Sequence, residues 1–469
     1  MHIEQIYTNC LAQGAYYIRS NGEAAIIDPL RESAPYMNRL EKDGATLKYI
    51  FETHFHADFV SGHVSLADKT GAQIIYGPGA QTSFESKNAS DGELFRIGDI
   101  TIEALHTPGH TLESTCFLLR DKNQQPYCIF TGDTLFLGDV GRPDLSQKGS
   151  DITEADLAAM LFDSLRKKIM LLPDDVLIYP AHGAGSACGK NMMNITVDSL
   201  GNQRSSNYAL RADMTQEEFI KEVTEGLTAA PAYFPLNVKL NKEGYEHLDN
   251  ILIKGTSAIS PEQFAKLQEN NDTLVLDVRS KEAFAEAHIP KSIFIGLDGS
   301  FAPWVGAILK DTNRKILLVT PVGREEEAVT RLSRVGFDNT LGFLDGGIAA
   351  WQNSGFTVQN IGQIEADNLL SKMASQNTFV VDVRKPGEYN SSHISTVRSI
   401  PLSTISDRIA ELADDQISYI HCQSGYRSLI ASSIIQAHSN RKIINVLGGY
   451  KAMVAKGASL EETSCSHST

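Results

Sequence analysis

The chain has 469 residues, of which 42% are hydrophobic and 21% are charged, an ordinary composition for a soluble globular protein. This length exceeds what one hydrophobic core supports and predicts roughly two to four domains. The formal net charge of -15 excludes a broad basic surface for nucleic acid, so we expect local arginines to bind any anionic substrate.

The N-terminus, Met1-His-Ile-Glu-Gln5, has neither the basic start nor the apolar run of a signal peptide. No apolar run in the sequence is long enough to span a bilayer. The cysteines form no Cys-x-x-Cys pair and have no regular spacing; they are Cys10, Cys116, Cys128, Cys188, Cys422 and Cys465. We therefore expect a cytoplasmic protein with reduced thiols and no membrane partner.

The first half of the chain is predicted to contain short strands and helices. Alternating apolar residues at 1–7, 15–19 and 23–27, separated by Gly14 and Asn21-Gly22, predict antiparallel strands. A helix is predicted over 32–44, a strand over 48–51 and a helix over about 64–70. Further strands are predicted at 72–76, 94–105, 127–130 and 176–180.

Side chains that can bind a metal follow four of these strands. The run His54-Phe-His-Ala-Asp58 comes after the strand that ends at Phe51, and His110 follows the strand 94–105. Asp133 and His182 follow the strands 127–130 and 176–180. Loops held by a rigid scaffold are where metal ligands are usually placed. The spacing therefore predicts a metal site at the ends of these strands.

In this order, the motifs His-x-His-x-Asp, Thr-Pro-Gly-His-Thr, Thr-Gly-Asp and Pro-Ala-His-Gly resemble those of the metallo-β-lactamase superfamily. The resemblance covers residues 1 to about 250 and implies an αβ/βα sandwich with its metal site at one edge. Hydrolases of the glyoxalase II type in this superfamily hold two metals and carry a histidine directly after the motif aspartate. Phe59 stands at that position here, which removes a nitrogen ligand of the second metal.

The surviving residues His54, His110 and Asp133 supply two imidazoles and one carboxylate. This is the facial triad of non-haem Fe(II) oxygenases, which leaves open positions on the metal. The first half is also similar to the persulfide dioxygenase branch, which implies one Fe(II) per chain on these three residues. The same resemblance implies three groups that orient the ligands and tune the metal: His56, Asp58 and His182.

The resemblance further implies roles for residues around the metal. Arg142, in the loop Gly138-Asp-Val-Gly-Arg-Pro-Asp144, would position an anionic substrate, and Tyr179 would lie near the site. An ion pair of Arg142 with Asp144 at the surface is an equally open interpretation. Cys188 follows His182 closely in the sequence. Three interpretations of Cys188 stay open: it carries a persulfide, it lines the substrate channel, or it is only a small buried residue.

The second half of the chain repeats itself. The run Thr273-Leu-Val-Leu-Asp-Val-Arg279 recurs 105 residues later as Thr378-Phe-Val-Val-Asp-Val-Arg384. Apolar strands alternate with helices, which points to a buried parallel sheet in each copy. We expect three domains, at residues 1–250, 255–360 and 361–469.

The second copy contains Ile420-His-Cys-Gln-Ser-Gly-Tyr-Arg-Ser428, a cysteine between a strand and a helix. Such a loop turns backbone N–H groups and a helix N-terminus toward the sulfur, which stabilises a thiolate and an adjacent anion. This pattern resembles the rhodanese fold. The resemblance implies Cys422 as the sulfur-carrying nucleophile, assisted by Arg427, with substrate bound by Ser424, Gly425 and Ser428.

The first copy departs from this pattern. Its corresponding segment, residues 318–324, has no cysteine, and none occurs between Cys188 and Cys422. It therefore cannot carry a persulfide, and we interpret it as an inactive rhodanese-like domain. Spacing, docking and oligomerisation remain open as its role.

Together the halves predict a multi-domain α/β protein: a metallo-β-lactamase αβ/βα sandwich followed by two tandem rhodanese-like domains with parallel sheets. The chain resembles the persulfide dioxygenase–rhodanese fusions of bacterial sulfide detoxification. The resemblance implies that O2 and a low-molecular-weight thiol persulfide give sulfite at Fe(II). The Cys422 persulfide and sulfite then give thiosulfate. The opposite direction, in which thiosulfate supplies persulfide to the iron site, stays open. It also implies a homo-oligomer.

Three other functions remain open. The first is a glyoxalase II-like zinc thioester hydrolase fused to a sulfurtransferase, against which Phe59 argues. The second is a sulfur carrier or sensor whose metal is only structural, and the third is a protein in which only the rhodanese is active. The sequence leaves glutathione, coenzyme A, bacillithiol and inorganic polysulfide open as the persulfide carrier.

Overall fold

The computed structural model describes residues 1–145, 152–227, 229–413 and 415–462. Cys465, expected to be a reduced thiol, lies outside these residues. The chain forms two compact units, one of Met1–Asn250 with Leu332–Gly336 and one of Ile251–Arg331 with Phe337–Thr469. Among the described residues, every helix is too short or too polar to cross a lipid bilayer. The domain limits 1–250, 255–360 and 361–469 stay a proposal.

The first sheet of the first unit has six strands in sequential order, β1 to β6. Pairing is antiparallel from β1 to β3 and parallel from β3 to β6. The strands are β1 (His2–Thr8), β2 (Gln13–Ser20), β3 (Glu23–Ile27), β4 (Thr46–Phe51), β5 (Gln73–Tyr76) and β6 (Lys87–Asn88). The predicted antiparallel start of the domain is therefore confirmed.

The second sheet also has six strands, in the order β12-β11-β10-β9-β8-β7. Only β10 and β11 pair in parallel. The strands are β7 (Leu94–Ile97), β8 (Ile100–His106), β9 (Thr115–Arg120), β10 (Pro126–Gly132), β11 (Leu177–Pro180) and β12 (Asp198–Ser199). The single strand expected over 94–105 is wrong, because a turn with Gly98 at φ +54° splits it into a hairpin.

Helices cover the outer faces of both sheets. Beside the first sheet lie α1 (Ala34–Asp43) and α2 (His63–Thr70), and beside the second lie α3 (Glu154–Lys167), α4 (Leu200–Ser206) and α5 (Gln216–Thr224). Two further helices complete this part of the chain, α6 (Phe234–Glu243) and α7 (Leu248–Gly255). Buried side chains of both sheets meet in one apolar layer between them, which confirms the αβ/βα sandwich.

The ends of the strands meet at one edge of this sandwich. The carbonyl of Thr53, just after β4, accepts the N–H of Thr115 at the start of β9 and so joins the two sheets. Gly132 ends β10 against Thr53; its φ is +53°, and an added Cβ would lie 2.5 Å from Thr53 Oγ1. Glycine at this position therefore lets the loops after β4 and β10 approach closely.

The second unit contains two parallel five-stranded sheets. Their orders are β13-β17-β16-β14-β15 and β18-β23-β22-β19-β21, which is the same topology twice. The first sheet consists of β13 (Ala258–Ile259), β14 (Thr273–Asp277), β15 (Ile293–Phe294), β16 (Lys315–Val319) and β17 (Thr340–Leu344). The second consists of β18 (Gly362–Ile364), β19 (Phe379–Asp382), β21 (Arg398–Ser399), β22 (Ser418–His421) and β23 (Ile443–Val446). The antiparallel pair β20 (His393–Ile394) and β24 (Leu460–Glu461) lies beside the second copy.

The helices of the two copies follow the same alternation. They are α8 (Pro261–Gln268), α9 (Lys281–Glu286), α10 (Phe301–Leu309), α11 (Glu325–Ser333), α12 (Gly347–Asn353), α13 (Ala366–Ser375), α14 (Pro386–Ser391), α15 (Tyr426–His438) and α16 (Gly449–Ala455). The α/β repeat predicted from the sequence is confirmed.

We expect Phe117→Ala to destabilise the first unit by about 3–5 kcal/mol, because a fully buried ring between the sheets leaves a cavity. Its centroid lies 4.7 Å from that of Phe51. The measurement is urea unfolding followed by a signal from this unit. Leu94→Ala is the matched control, since Leu94 is 58% exposed and its loss should cost below about 0.5 kcal/mol. Equal effects of both changes would contradict the assigned core.

Candidate metal centre and sulfur-transfer site

Three buried side chains from three strand ends converge at the edge of the sandwich. The ligand atoms of His54, His110 and Asp133 all lie within 4.8 Å of one another. The Nε2 atoms of His54 and His110 lie 3.9 and 3.5 Å from Asp133 Oδ2. Asp133 Oδ2 is buried and has no hydrogen-bond partner among the described residues. An unpartnered carboxylate oxygen facing two imidazole nitrogens fits a metal ion.

Backbone and hydroxyl groups fix the orientation of both imidazoles. A carbonyl can only accept, so His110 donates its Nδ1–H to the carbonyl of Arg142 at 2.8 Å. The Thr53 hydroxyl donates to Asp28 at 2.8 Å and therefore accepts from His54 Nδ1 at 3.0 Å. Each ring consequently presents the lone pair of Nε2 toward Asp133, which is the tautomer that a metal requires.

Electrostatics favour the metal-binding forms of Asp133 and His54. Burial alone opposes ionisation of Asp133, but the charge of His182 beside it holds the pKa of this carboxyl well below its usual value. Burial, with His56 nearby, holds the pKa of His54 well below its usual value, so this ring is neutral. An ionised carboxylate and neutral imidazoles are what metal binding needs.

A hydrogen-bonded chain supports Asp133 from behind. His182 Nδ1 lies 2.7 Å from Asp133 Oδ1, and its Nε2 lies 2.8 Å from Asp58 Oδ2. Burial opposes the charged ring, yet Asp133 and Asp58 raise the pKa of His182 well above its usual value. His182 therefore donates through Nδ1 to Asp133 and forms an ion pair through Nε2 with Asp58, which leaves Asp133 Oδ2 to face the histidines. This geometry accords with the predicted orienting role of His182 and Asp58, which stays a prediction.

A second group of possible ligands contains Asp58, His182 and Cys188, again within 4.8 Å of one another. Burial, together with Asp133 and Asp58, raises the pKa of the Cys188 thiol well above its usual value. The Phe59 ring lies 4.3 Å from the ring of His56 and 6.4 Å from that of His182. An apolar ring thus stands beside these groups, and one metal per chain stays a prediction.

Arg142 forms the ion pair with Asp144 that the sequence left open, and Tyr179 packs against other aromatic rings. Arg142 is buried, and its guanidinium donates twice to Asp144, at 2.6 and 2.7 Å. The pair is therefore not on the surface, and the backbone carbonyl of Arg142 is what reaches His110. Tyr179 packs its ring on Phe130 and Tyr16 at 5.5 and 5.3 Å. The substrate roles of Arg142 and Tyr179 stay predictions.

Sequence reasoning missed the groups that hold the histidine loop. Asp28 accepts the Thr53 N–H at 2.8 Å and lies 3.0 Å from His56 Nε2. Asn241 donates to the carbonyls of His56 and Phe59, both at 2.8 Å. His56 thus directs Nε2 to Asp28, while its ring lies 4.2 Å from that of His54, and its predicted orienting role stays a prediction. Asp28 directly follows β3 at the same sheet edge, which was a usable signal, whereas Asn241 lies in α6 and offered none.

In the second unit, Cys422 follows β22 directly. Its Sγ accepts the backbone N–H of Gly425 at 3.2 Å, and Gly425 has a φ of +102° at the start of α15. Only glycine adopts this backbone conformation readily. The close approach of the next loop also depends on glycine, because a Cβ on Gly449 would lie 2.2 Å from the Cys422 carbonyl oxygen. The predicted cysteine loop at a helix N-terminus is therefore present.

The other predicted residues of this loop have defined partners. Arg427 makes two bonds to Glu388, at 2.5 and 2.8 Å, and this carboxylate was not predicted. The Ser428 hydroxyl donates to the Gly425 carbonyl at 3.2 Å, while Ser424 is exposed. Glu388 thus fixes the guanidinium beside the loop, and anion binding by Arg427, Ser424 and Ser428 stays a prediction.

The register of the sheets aligns the corresponding loop of the first copy. Asp277 pairs with Val319 as Asp382 pairs with His421, so Thr320 occupies the position of Cys422 and Glu325 that of Arg427. Glu325 Oε1 accepts the Gly323 N–H at 3.0 Å and the Thr320 hydroxyl at 3.3 Å. The loop therefore contains its own carboxylate and lacks the nucleophile, as the inactive interpretation requires.

Comparison with known proteins agrees with both folds. Residues 9–182 match the model of the metallo-beta-lactamase superfamily, and residues 260–354 and 365–456 match that of the rhodanese-like domain. Over 207 residues the chain is 34% identical to the human mitochondrial persulfide dioxygenase ETHE1, covering 43% of this chain and 72% of that protein. The chain belongs to the metallo-beta-lactamase superfamily and is a homologue of persulfide dioxygenases. In this chain the metallo-beta-lactamase domain is fused to two rhodanese-like domains.

Two further relatives bear on this fusion. A crystal structure of a metallo-beta-lactamase from Staphylococcus aureus is 31% identical, with a TM-score of 0.63 over 73% of this chain and 98% of that chain. A probable hydroxyacylglutathione hydrolase of Schizosaccharomyces pombe is 36% identical over 163 residues, covering 34% of this chain and 59% of that protein. The first likeness extends well beyond the metallo-beta-lactamase domain, whereas the second covers about a third of this chain.

We expect the His182→Asn substitution to weaken metal binding about 10- to 100-fold, because Asp133 loses the donor that orients it. Competition against a chelator of known affinity measures this change for Fe(II). His247→Asn is the control, since His247 pairs with Asp68 on the surface. Unchanged affinity in His182→Asn would contradict the orienting role.

Proposed function

We propose that the chain is a non-haem Fe(II) persulfide dioxygenase coupled to a rhodanese sulfurtransferase, which acts in the detoxification of sulfide in the cytoplasm. The observation that carries this proposal is the buried triad of His54, His110 and Asp133, beside which Phe59 stands in place of a second-metal ligand. The homology to persulfide dioxygenases supports the same reading. We further propose that the active protein is a homo-oligomer.

His54 Nε2, His110 Nε2 and Asp133 Oδ2 are the atoms that would hold one Fe(II) per chain. When bound, this ion supplies the capacity to activate O2 beside a sulfur ligand. The chain contributes the rest. The Arg142 carbonyl and the Thr53 hydroxyl fix the two rings, and His182 fixes the carboxylate. All three ligands are at most 2% exposed, so the protein excludes bulk water from their surroundings.

The remaining polar groups of the metal centre would act on the persulfide. Cys188 lies at the site with its proton retained, so we assign it to the lining of the substrate channel and not to nucleophilic attack at rest. A retained thiol proton can be donated to a sulfur anion nearby. Arg142 would need to leave Asp144 before it bound a substrate anion, so its present role is to hold the loop that carries the His110 acceptor.

The overall chemistry balances without another reactant. One thiol persulfide, one O2 and one water give one thiol, one sulfite and two protons. At the rhodanese, the Cys422 thiolate takes the outer sulfur of a second thiol persulfide, whose S–S bond breaks to release the thiol. Sulfite then attacks the outer sulfur of the Cys422 persulfide; this S–S bond breaks, thiosulfate leaves and the Cys422 thiolate is regenerated. Gly425 N–H then stabilises the sulfur anion that is formed. Linkage of the two activities in one chain raises the effective concentration of sulfite at the second site.

The first test measures metal content and O2 uptake of anaerobically Fe(II)-loaded protein with glutathione persulfide. We expect about one iron per chain and persulfide-dependent O2 uptake with sulfite or thiosulfate as product. His110→Ala should lose both iron and O2 uptake, since one ligand of the triad is removed. Iron bound without O2 uptake from glutathione, coenzyme A or bacillithiol persulfides or inorganic polysulfide would leave only a structural metal and refute the dioxygenase.

The second test separates the two activities. Cys422→Ser should abolish sulfur transfer between thiosulfate and a thiol, because no nucleophile remains, while its O2 uptake with persulfide continues. His110→Ala should show the opposite pattern. The products are quantified as sulfite and thiosulfate by chromatography after thiol labelling. Loss of all activity in Cys422→Ser, with full activity in His110→Ala, would mean that only the rhodanese acts.

A second candidate is a zinc thioester hydrolase of the glyoxalase II type, favoured by the identity with the probable hydroxyacylglutathione hydrolase of Schizosaccharomyces pombe. It predicts two zinc ions per chain and hydrolysis of S-lactoylglutathione without O2. Phe59→His is a useful variant, since it restores the missing ligand. Higher zinc content and new hydrolysis in this variant alone would support the dioxygenase assignment of the natural chain.

A further inference from the structure

The helix that begins at the cysteine loop contacts the inactive copy along its length. Tyr426, Ser433 and Gln436 all lie on α15, and each meets a residue of the first rhodanese-like copy. Their separations of seven and three residues place them on one face of a helix. The contact therefore runs from the first turn of α15, where Cys422 is held, to its last turn.

Tyr426 makes the contact nearest to the sulfur. Its hydroxyl donates to the Gly296 carbonyl at 2.8 Å, and its ring centroid lies 5.8 Å from that of Phe294. Gly299 closes this socket, because a Cβ on it would lie 2.5 Å from the Tyr426 ring. Burial raises the pKa of the Tyr426 hydroxyl, so this hydroxyl keeps the proton that it donates.

The far end of α15 is held separately. The Phe294 N–H donates to the Ser433 hydroxyl at 3.0 Å, and His288 Nε2 lies 2.8 Å from Gln436 Oε1. These two contacts hold the far half of the helix on the first copy. The Tyr426 socket adds a third contact, directly after the Gly425 N–H that binds the sulfur.

The contact is one-sided. In the alignment set by the strand register, Arg324 of the first copy occupies the position of Tyr426. Arg324 pairs with Asp298 and Glu327, both within its own copy. The first copy thus provides a socket for Tyr426 of the second copy. The corresponding Arg324 of the first copy forms its ion pairs within that copy.

We propose that the inactive rhodanese-like copy is a positioning element for the sulfur-carrying loop, and that Tyr426 is the positioning residue through which it acts. This inference rests on the proposed sulfurtransfer at Cys422. The socket fixes the first residue of α15 and with it the direction of the preceding Gly425 N–H, 3.2 Å from Cys422 Sγ. Arg427, which Glu388 holds beside the loop, follows Tyr426 directly.

The test uses the full-length protein with Tyr426→Ala, Tyr426→Phe and Gly299→Ala. Gly299→Ala fills the socket without touching the loop. We measure the alkylation rate of Cys422 against pH by mass spectrometry of its peptide, and kcat/KM for sulfur transfer. Loss of one hydrogen bond to a thiolate should move the alkylation midpoint up by about one pH unit in Tyr426→Ala and Gly299→Ala. Their kcat/KM should fall at least about tenfold, which is the same free energy.

Two comparisons distinguish positioning from simple stability. Tyr426→Phe keeps the ring in the socket and should retain activity within about threefold, below the loss of a full hydrogen bond. His288→Ala loosens the far end of the same interface and should lower the melting temperature without moving the alkylation midpoint. A midpoint unchanged in folded Gly299→Ala, or moved equally by His288→Ala, would overturn the proposal.

Failure of the proposed function gives a different result. Wild-type protein with no more sulfur transfer than Cys422→Ser would refute the sulfurtransferase. The alkylation profiles of the Tyr426 and Gly299 variants would still report whether the inactive copy positions the loop.

Discussion

The metal centre depends on one buried negative charge. Asp133 is 1% exposed, and a carboxylate that is buried without compensation is too costly to remain ionised. Three imidazoles surround it, and two of them lie within 3.9 Å of its Oδ2. The third, His182, carries a proton that it shares with Asp58. Asp133 Oδ1 therefore accepts the hydrogen bond of His182, while Asp133 Oδ2 faces His54 and His110.

The loops that carry these ligands are placed by the topology of the sheets. The carboxyl ends of β4 in the first sheet and β10 in the second lie at the same edge of the sandwich, so the residues that follow them meet although they are about 80 residues apart. Because each follows a predicted strand, His54, His110, Asp133 and His182 were predicted from the sequence to lie near one another. Asn241 and the Arg142 carbonyl were not, because a distant amide and a backbone oxygen leave no recognisable pattern. The split of 94–105 was missed although Gly98-Asp99 between the two strands is a turn signal.

The rhodanese repeat separates residues that hold the fold from those that carry chemistry. In both copies the arginine of the Asp-Val-Arg run reaches back to its own aspartate and on to a carbonyl eight residues from it, Ala287 for Arg279 and Ser392 for Arg384. The Asp-Val-Arg run that makes this contact occurs in both copies, and its repetition is visible in the sequence. The cysteine loop was not repeated, since Thr320 and Glu325 replace Cys422 and Arg427. The partner of Arg427, Glu388, could not be predicted because it comes from α14 of the same copy.

The two candidate sulfur atoms lie in different surroundings. Cys188 faces Asp58 and Asp133, whose negative charges oppose a thiolate there and add to the effect of burial. Cys422 accepts the backbone N–H of Gly425, and Glu388 holds the guanidinium of Arg427 beside its loop. A metal cation bound by Asp133 would cancel part of the charge around Cys188. The chemistry available to Cys188 is therefore tied to metal binding, whereas that of Cys422 is built into the backbone of its loop.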